Sequence, residues 1–502
     1  MLFQSGCHLS YGFLRRKMKN VLIELATKGG IYALGSSLNG LAGFLLIPFF
    51  INHLLPEEYG RFAFAEMILI IFLAFSGLGL KIAFLNKYNQ VETENRRDYV
   101  GALFTFVIAS TLVFEFIYVS LAFVFSETFF SELSIELIVL VGLIAAVETV
   151  WVLFSTLYRV KGWAWKFVFV SFMQLTFGLV STVILIQGYG FREEGILYGR
   201  LIGDTVLLIM LGKVLYEFRP KRGALNLAFD TVKMGLPLVP SVFALTWVMM
   251  SPRFSIEQYG SYADLGVFAL SAKLAGVISL VFVNPFGMIW TVLLFKVSNR
   301  DDAKLVYSKI LTYYILVGGV IAFSLGVFSP GLIQLFGSDT FSLSEDVILI
   351  VGLATILSGM NYVLNTGAWL KGEMKKLLPV YIVSVVVSIL LGFLLTPVWG
   401  VQGACWALLL TYAIQVGLLR CVNNKIYPVP LESKRILKVI FTILFGYIVL
   451  TNYINLNPWI ELPIFLACIP LILLVFGFFD EKEKRYIGIS FENLYRTLLG
   501  RK

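Results

Sequence analysis

Apolar residues run through this chain in long blocks of about twenty positions, divided by short polar turns. Blocks of that length match the hydrocarbon core of a bilayer, about 30 Å thick, at about 1.5 Å of helix rise per residue. Reading each block as a membrane-crossing helix predicts about fourteen, over residues 28–51, 60–80, 100–125, 135–157, 166–187, 195–216, 235–251, 265–292, 305–329, 345–369, 377–397, 400–419, 436–453 and 459–479. The fold class that follows is an all-α polytopic membrane protein.

The polar positions between the blocks are not evenly charged. Of 40 Lys and Arg residues, 35 fall before or at the start of the first block, in every second loop after it, or in the tail. Arg61, Arg192, Arg200 and Arg253 fall on the other side, and Lys273 lies inside a block. The excess of positive charge in alternate loops places both termini in the cytoplasm and requires an even number of crossings.

Composition agrees. The chain is 58% hydrophobic, 15% aromatic and 14% charged, against about 25% charged residues in soluble domains. The net charge of +9 is then a topology signal; the basic residues sit in short loops at membrane edges, which excludes nucleic acid as a partner. Cys7, Cys405, Cys421 and Cys468 lack metal-ligand spacing and read as small apolar residues. No phosphate-cradling Gly-rich loop, zinc-type His pair or nucleophile elbow is present, and His8 and His53 are the only imidazoles. The chain is therefore not expected to be an enzyme or to carry a cofactor or metal.

A short pattern occurs twice. Gly60-Arg61-Phe62-Ala63 opens the second predicted helix and Gly266-Val267-Phe268-Ala269 the eighth. Each follows a proline-containing helix, with Pro48 before one copy and Pro237 and Pro240 before the other. Six helices separate the copies, so both enter the membrane in one direction, as expected of two halves related about the membrane normal. Two such lobes would enclose a central cavity.

Ionisable groups inside the blocks mark its expected lining, since such a group facing lipid costs several kcal/mol. Glu66 and Lys273 lie at similar depth on the two equivalent helices, Lys273 roughly 12 Å in at 1.5 Å per residue. Two readings stand: a pair that holds an anionic group or opens when substrate or a cation arrives, or a fixed pair that locks helices together. Glu148, near the middle of its helix with no cation close in sequence, is expected to be protonated or paired across helices and is a coupling candidate. Arg200 and Asp204, spaced i, i+4, are expected to neutralise one another. Arg61 and Arg253 flank outer helix ends, where a guanidinium pair suits phosphate or simply anchors the helices. Asn39, Glu115, Gln174, Asn284, Asn361, Asn365 and Gln415 are further buried polar positions, which either tie helices together or face ligand.

Several local sequences carry a resemblance: Gly29-Gly30, Leu55-Pro56-Glu57-Glu58-Tyr59-Gly60, Tyr158-Arg159-Val160-Lys161-Gly162, Gly235-Leu236-Pro237-Leu238-Val239-Pro240, and Gly266-x-Phe-Ala-x-x-x-Lys273. Over essentially its whole length the chain resembles the polysaccharide (O-antigen, Wzx-type) flippases of the multidrug/oligosaccharidyl-lipid/polysaccharide exporter superfamily, which also holds the MATE transporters. The resemblance implies two pseudo-symmetric six-helix lobes around a central cationic cavity, plus two C-terminal helices. On that basis residues 1–27 form a cytoplasmic segment, 28–216 and 235–421 the lobes, 217–234 the cytoplasmic loop between them, 434–479 the extra helices and 480–502 a basic cytoplasmic tail.

The function so implied is movement of a polyprenyl-pyrophosphate-linked oligosaccharide across the inner membrane by alternating access. Lys273, Arg61 and Arg253 would attract the pyrophosphate, Asn39 and Asn284 would meet the glycan, and Glu66 and Glu148 would serve as ion-pair or coupling groups. Membrane lipids, a proton or Na⁺ gradient, and polysaccharide polymerase and chain-length proteins are the expected partners. Relatives often carry an acidic residue before the Arg of the seventh helix, where this chain has Ser251-Pro252-Arg253. Two other readings remain: an organic-cation antiporter of the same superfamily, and a polysaccharide polymerase or lipid-linked glycosyltransferase.

Overall fold

The computed structural model describes residues 40, 43–124, 133–218, 225–336, 341–451, 457–481 and 483. Among these the chain is helical, with helices α1 (Ile47–His53), α2 (Pro56–Ser76), α3 (Leu80–Tyr88), α4 (Arg96–Val124), α5 (Ile135–Val160), α6 (Ala164–Val183), α7 (Glu193–Glu217), α8 (Leu225–Gly235) and α9 (Val239–Tyr259). There follow α10 (Tyr262–Ala275), α11 (Asn284–Val297), α12 (Ala303–Phe336), α13 (Glu345–Gly359), α14 (Asn361–Leu364), α15 (Thr366–Lys371), α16 (Leu378–Ile426), α17 (Ser433–Val449) and α18 (Pro458–Val475).

Eleven helical stretches among the described residues are long and apolar enough to cross a membrane. One of them, Met374–Ile426, contains the 49-residue α16, about 74 Å of helix and more than twice the bilayer core. It breaks at Gly400, whose φ of 55° and ψ of −135° only glycine adopts freely, three residues beyond Pro397. The break divides α16 where the sequence pattern separates 377–397 from 400–419. The 17-residue α17 and the apolar stretch Gly43–His53 occupy the remaining predicted positions, so each of the fourteen contains helix; most of 28–51 lies outside the described residues. The protein is an all-α, multi-pass membrane protein.

Its apolar surface fits that solvent. In α4, Leu112, Val113, Phe116, Ile117 and Leu121 are exposed, a face that water would penalise and lipid would not. The eighth predicted span is continuous over Tyr262–Thr291 but passes through a π-helical turn at Ser279–Val283. Pro285 follows two residues later; lacking an N–H and crowding the preceding turn, proline is relieved by such a local widening.

The helices form two compact units. The first takes in Met1–Lys273, Ser338–Ser342 and Tyr381–Leu408; the second takes in Leu274–Gly337, Leu343–Val380 and Leu409–Lys502. The first unit is centred on Phe84, Tyr99, Leu103, Phe104, Phe154 and Leu157, with Tyr99 giving its hydroxyl a partner in Thr231 at 2.8 Å. In the second, α17 and α18 pack on α12 through Val327, Val439, Ile443, Phe465 and Ile469.

Ionic contacts tie the end of the described chain to the second unit. Glu483 meets Arg435 at 2.7 Å and Lys309 at 3.3 Å, and Asp480 meets Lys309 at 3.2 Å. The Arg435 guanidinium also lies 4.4 Å from the centre of the Phe478 ring. The hydrogen bond from Lys309 holds the Asp480 carboxyl below its ordinary range. Burial pushes Glu483 up, but the Asp480 backbone N–H and Arg435 outweigh it and hold that carboxyl low as well. A depressed carboxyl contributes stability above its unfolded pKa and loses it as pH falls through the folded one. Acidification from pH 7 to below pH ~4 is therefore expected to release Asp480 and Glu483 before the spans unfold. Hydrogen exchange of those residues against pH checks this, and protection that is unchanged at pH ~3 would rule out the ionic tie.

Candidate functional site

The start of α2 explains its motif. Pro56 takes the first helical position, where no N–H is needed, and Glu58 reaches back to accept the backbone N–H of Leu55 at 2.8 Å. That fixes Tyr59 and Gly60 at the first turn, both buried.

Gly60 is required by close approach. A Cβ there would fall inside the Tyr262 carbonyl, and a Cβ on Gly266 would fall inside the Pro56 carbonyl. Each glycine thus faces the backbone four residues before the other, a reciprocal arrangement between the two copies of the Gly-x-Phe-Ala pattern. The crossing brings α10 against α2 and sends the Lys273 side chain toward Tyr59.

Lys273 donates to the Tyr59 hydroxyl at 3.0 Å. Its ammonium lies 5.8, 5.6 and 6.0 Å from the ring centres of Phe50, Tyr59 and Phe62, an aromatic enclosure that attracts a cation through the ring quadrupoles. The carboxylate at matching depth, Glu66, is held instead by Arg253. The Arg253 Nη1 donates to Glu66 Oε2 and to the Ala63 carbonyl, both at 2.9 Å.

Arg253 owes its place to the residues before it. Pro252 has no N–H for the Val248 carbonyl, and the Ser251 hydroxyl donates to that carbonyl at 2.9 Å. The serine keeps the helix intact through the proline, while the acidic partner comes from α2.

Glu66 also lies 3.9 Å from Arg200. Arg200 in turn binds Glu148 at 2.6 Å, so Glu148 is paired across helices. Arg200 and Asp204 act on one another electrostatically, as their i, i+4 spacing suggests, while the hydrogen bond to the fully buried Asp204 comes from Gln174 at 2.6 Å. The other Asp204 oxygen and the Gln174 carbonyl oxygen are buried without a hydrogen-bond partner.

One network thus joins groups from α2, α5, α6, α7, α9 and α10, all in the first unit. Its cations are Lys273, Arg253 and Arg200 and its anions Glu66, Glu148 and Asp204, which balance formally. Such a balanced cluster is stable with its partners in place and strongly destabilised by loss of any one.

Arg61 stands apart from it. Arg61 binds Glu193 and, at 3.1 Å, Glu57, while Arg192 meets Glu58 at 3.3 Å. Arg61 and Arg253 therefore belong to separate ion-pair groups. Asn284 is an exposed residue of the second unit, following the π-helical turn. Asn39 lies outside the described residues. The role of Tyr59 as the hydrogen-bond partner of Lys273 is not displayed by the sequence, although Tyr59 stands in the Leu55–Gly60 motif.

Backbone comparison finds this architecture in several solved structures. The lipid II flippase MurJ, in an inward closed conformation, superposes with a TM-score of 0.70 at 14% identity, covering 93% of this chain and 99% of that one. The chain has the MurJ fold. A multidrug resistance MATE family transporter of the MOP superfamily in its inward-facing conformation gives 0.60 at 15% identity, over 77% of this chain and 95% of that one. An outward-facing MATE structure gives 0.57 at 16% identity, over 84% and 96%. No family model matches the chain, and no curated protein sequence does.

Proposed function

We propose that this protein is a transporter of the MOP type that flips a polyprenyl-pyrophosphate-linked oligosaccharide from the cytoplasmic to the outer leaflet of the inner membrane. Its termini are cytoplasmic in this reading, alternating access is the mechanism, and assembly of cell-surface polysaccharide such as O-antigen is the use. The observation that carries the proposal is the half-buried Glu66–Arg253–Arg200–Lys273 group. Guanidinium groups keep their charge at any physiological pH, and a diphosphate presents oxygens in the geometry that a guanidinium fork recognises. Substrate would take over the cations by replacing Glu66, and its departure would restore the internal pairs.

In this proposal no bond is made or broken, so the protein is not an enzyme. Arg61 gathers anions at the mouth, Asn39 and Asn284 meet the glycan, and the partner proteins are the polymerase and chain-length factors that consume the product. A proton or Na⁺ gradient would act on Glu148 and Glu66.

A second reading, organic-cation antiport, is favoured by the three carboxylates of the same network and by the unpartnered Asp204 oxygen. Proteoliposomes separate the two. The flippase reading expects labelled polyprenyl-pyrophosphate oligosaccharide to cross to the far leaflet and Arg253→Ala to slow it at least about 30-fold, a loss of about 2 kcal/mol. Gradient-driven efflux of an organic cation, with no movement of the lipid-linked sugar, overturns it.

A further inference from the structure

The turn between α5 and α6 carries a concentration of cations that the ion-pair network does not use. Lys161 and Lys166 both lie against Trp163, with their ammonium groups 4.5 and 4.1 Å from the ring centre. Lys161 is also 4.3 Å from the centre of the Phe218 ring. Arg159 stands 5.5 Å over Phe167, which stacks on Trp151 at 5.9 Å. Lys81 is within electrostatic reach of Arg159.

Two ammonium groups on one indole repel each other, and burial adds to the strain: desolvation and the neighbouring Lys166 both act to push the Lys161 ammonium down, against the attraction of Glu217. Among the described residues, Glu217 is a carboxylate that acts on Lys161. An anion that bridged the two lysines would remove the repulsion.

The position specifies which anion. The turn joins two spans, Ile135–Val160 and Ala164–Gly188, on the side where Lys and Arg are concentrated. Tryptophans gather here, as they do at headgroup depth in membranes. Directly beyond it, α6 presents Trp165, Phe169 and Phe172, at 72, 56 and 45% exposure, spaced to lie along one side of the helix. That strip offers a bed for hydrocarbon beneath the cations.

We propose that Lys161 and Lys166, on the Trp163 platform, bind the phosphate of an anionic bilayer phospholipid whose acyl chains lie along Trp165, Phe169 and Phe172. The site takes its ligand from the surrounding leaflet and is separate from the Glu66 network. Each basic side chain near an anionic lipid surface contributes enough for about a fivefold change in affinity.

The test uses the full-length protein in detergent with added phosphatidylglycerol or phosphatidylcholine, and reads bound lipid by native mass spectrometry. Wild type should retain phosphatidylglycerol in preference to phosphatidylcholine. Lys161→Gln with Lys166→Gln should weaken retention about 25-fold, while Lys161→Arg with Lys166→Arg should keep it, both variants unfolding at the wild-type temperature. Loss of the lipid in the double Arg variant as well would point to packing and not charge, and would overturn the proposal. Equal retention of the two lipids by wild type, or no change in the double Gln variant, would do the same. If polyprenyl phosphate is the lipid whose retention depends on the two lysines and phosphatidylglycerol is not, the phospholipid assignment is overturned.

Discussion

Gly60→Ala is expected to destabilise the protein by about 3 kcal/mol, the upper range for overpacking, and Gly266→Ala by a similar amount. In each case the new methyl group meets a backbone carbonyl, Tyr262 for Gly60 and Pro56 for Gly266, and a carbonyl in a helix cannot rotate aside as a flexible side chain does. The helices must separate. Because each glycine faces the helix that carries the other, the separation forced by one alanine makes room for the second. The double variant should therefore cost clearly less than the sum of the singles, with an interaction energy of about 1 kcal/mol or more. Thermal unfolding of the four proteins in one detergent measures the cycle. Strict additivity would mean that the two glycines act at independent contacts.

Glu66→Gln carries the other large effect. The substitution keeps the shape and one acceptor for Arg253 but removes the charge that offsets Arg253, Arg200 and Lys273, leaving the network with a formal excess of one positive charge. Loss of one member of a partly buried ion network costs about 3 kcal/mol in stability. The functional consequence follows from the proposal that substrate replaces Glu66. With that competitor neutral, a pyrophosphate should bind about tenfold more tightly, a gain of about 1.4 kcal/mol, and leave more slowly, so that turnover falls although affinity rises. Arg253→Gln should do the reverse to affinity. Binding of a polyprenyl-pyrophosphate analogue, read alongside flipping in proteoliposomes, separates these outcomes. A folded Glu66→Gln protein with unchanged affinity and unchanged rate would mean that Glu66 is a strut and that substrate does not compete with it.

The spans were legible because the bilayer dictates their length, and even the break in α16 is marked by Pro397 and Gly400. The pairing of charges was less so. Lys273 and Glu66 share a depth, but depth does not fix which face of a helix a side chain leaves, and Arg253 reaches Glu66 while Lys273 turns to Tyr59. Arg200 and Asp204 satisfy the helical spacing rule and act on one another, but the direct contacts are Arg200 to Glu148 of α5 and Gln174 of α6 to Asp204. Contacts between helices add partners that a rule for isolated helices does not describe. Ser251 was noted as a departure from an acidic residue; its role beside Pro252 depends on the Val248 carbonyl, a backbone group that side-chain patterns do not display. The twofold occurrence of Gly-x-Phe-Ala was visible as a repeat, and its reciprocal packing was not.

The order in which the network's members are made sets a problem for biosynthesis. Glu66 and Arg253 are 187 residues apart, and at cellular rates of about 5–20 residues per second the carboxylate is synthesised roughly 10–40 seconds before its guanidinium. Through that interval the early spans must enter the bilayer with Glu66 unneutralised by Arg253. A proton is the simplest temporary partner for it, to be given up when the seventh span arrives.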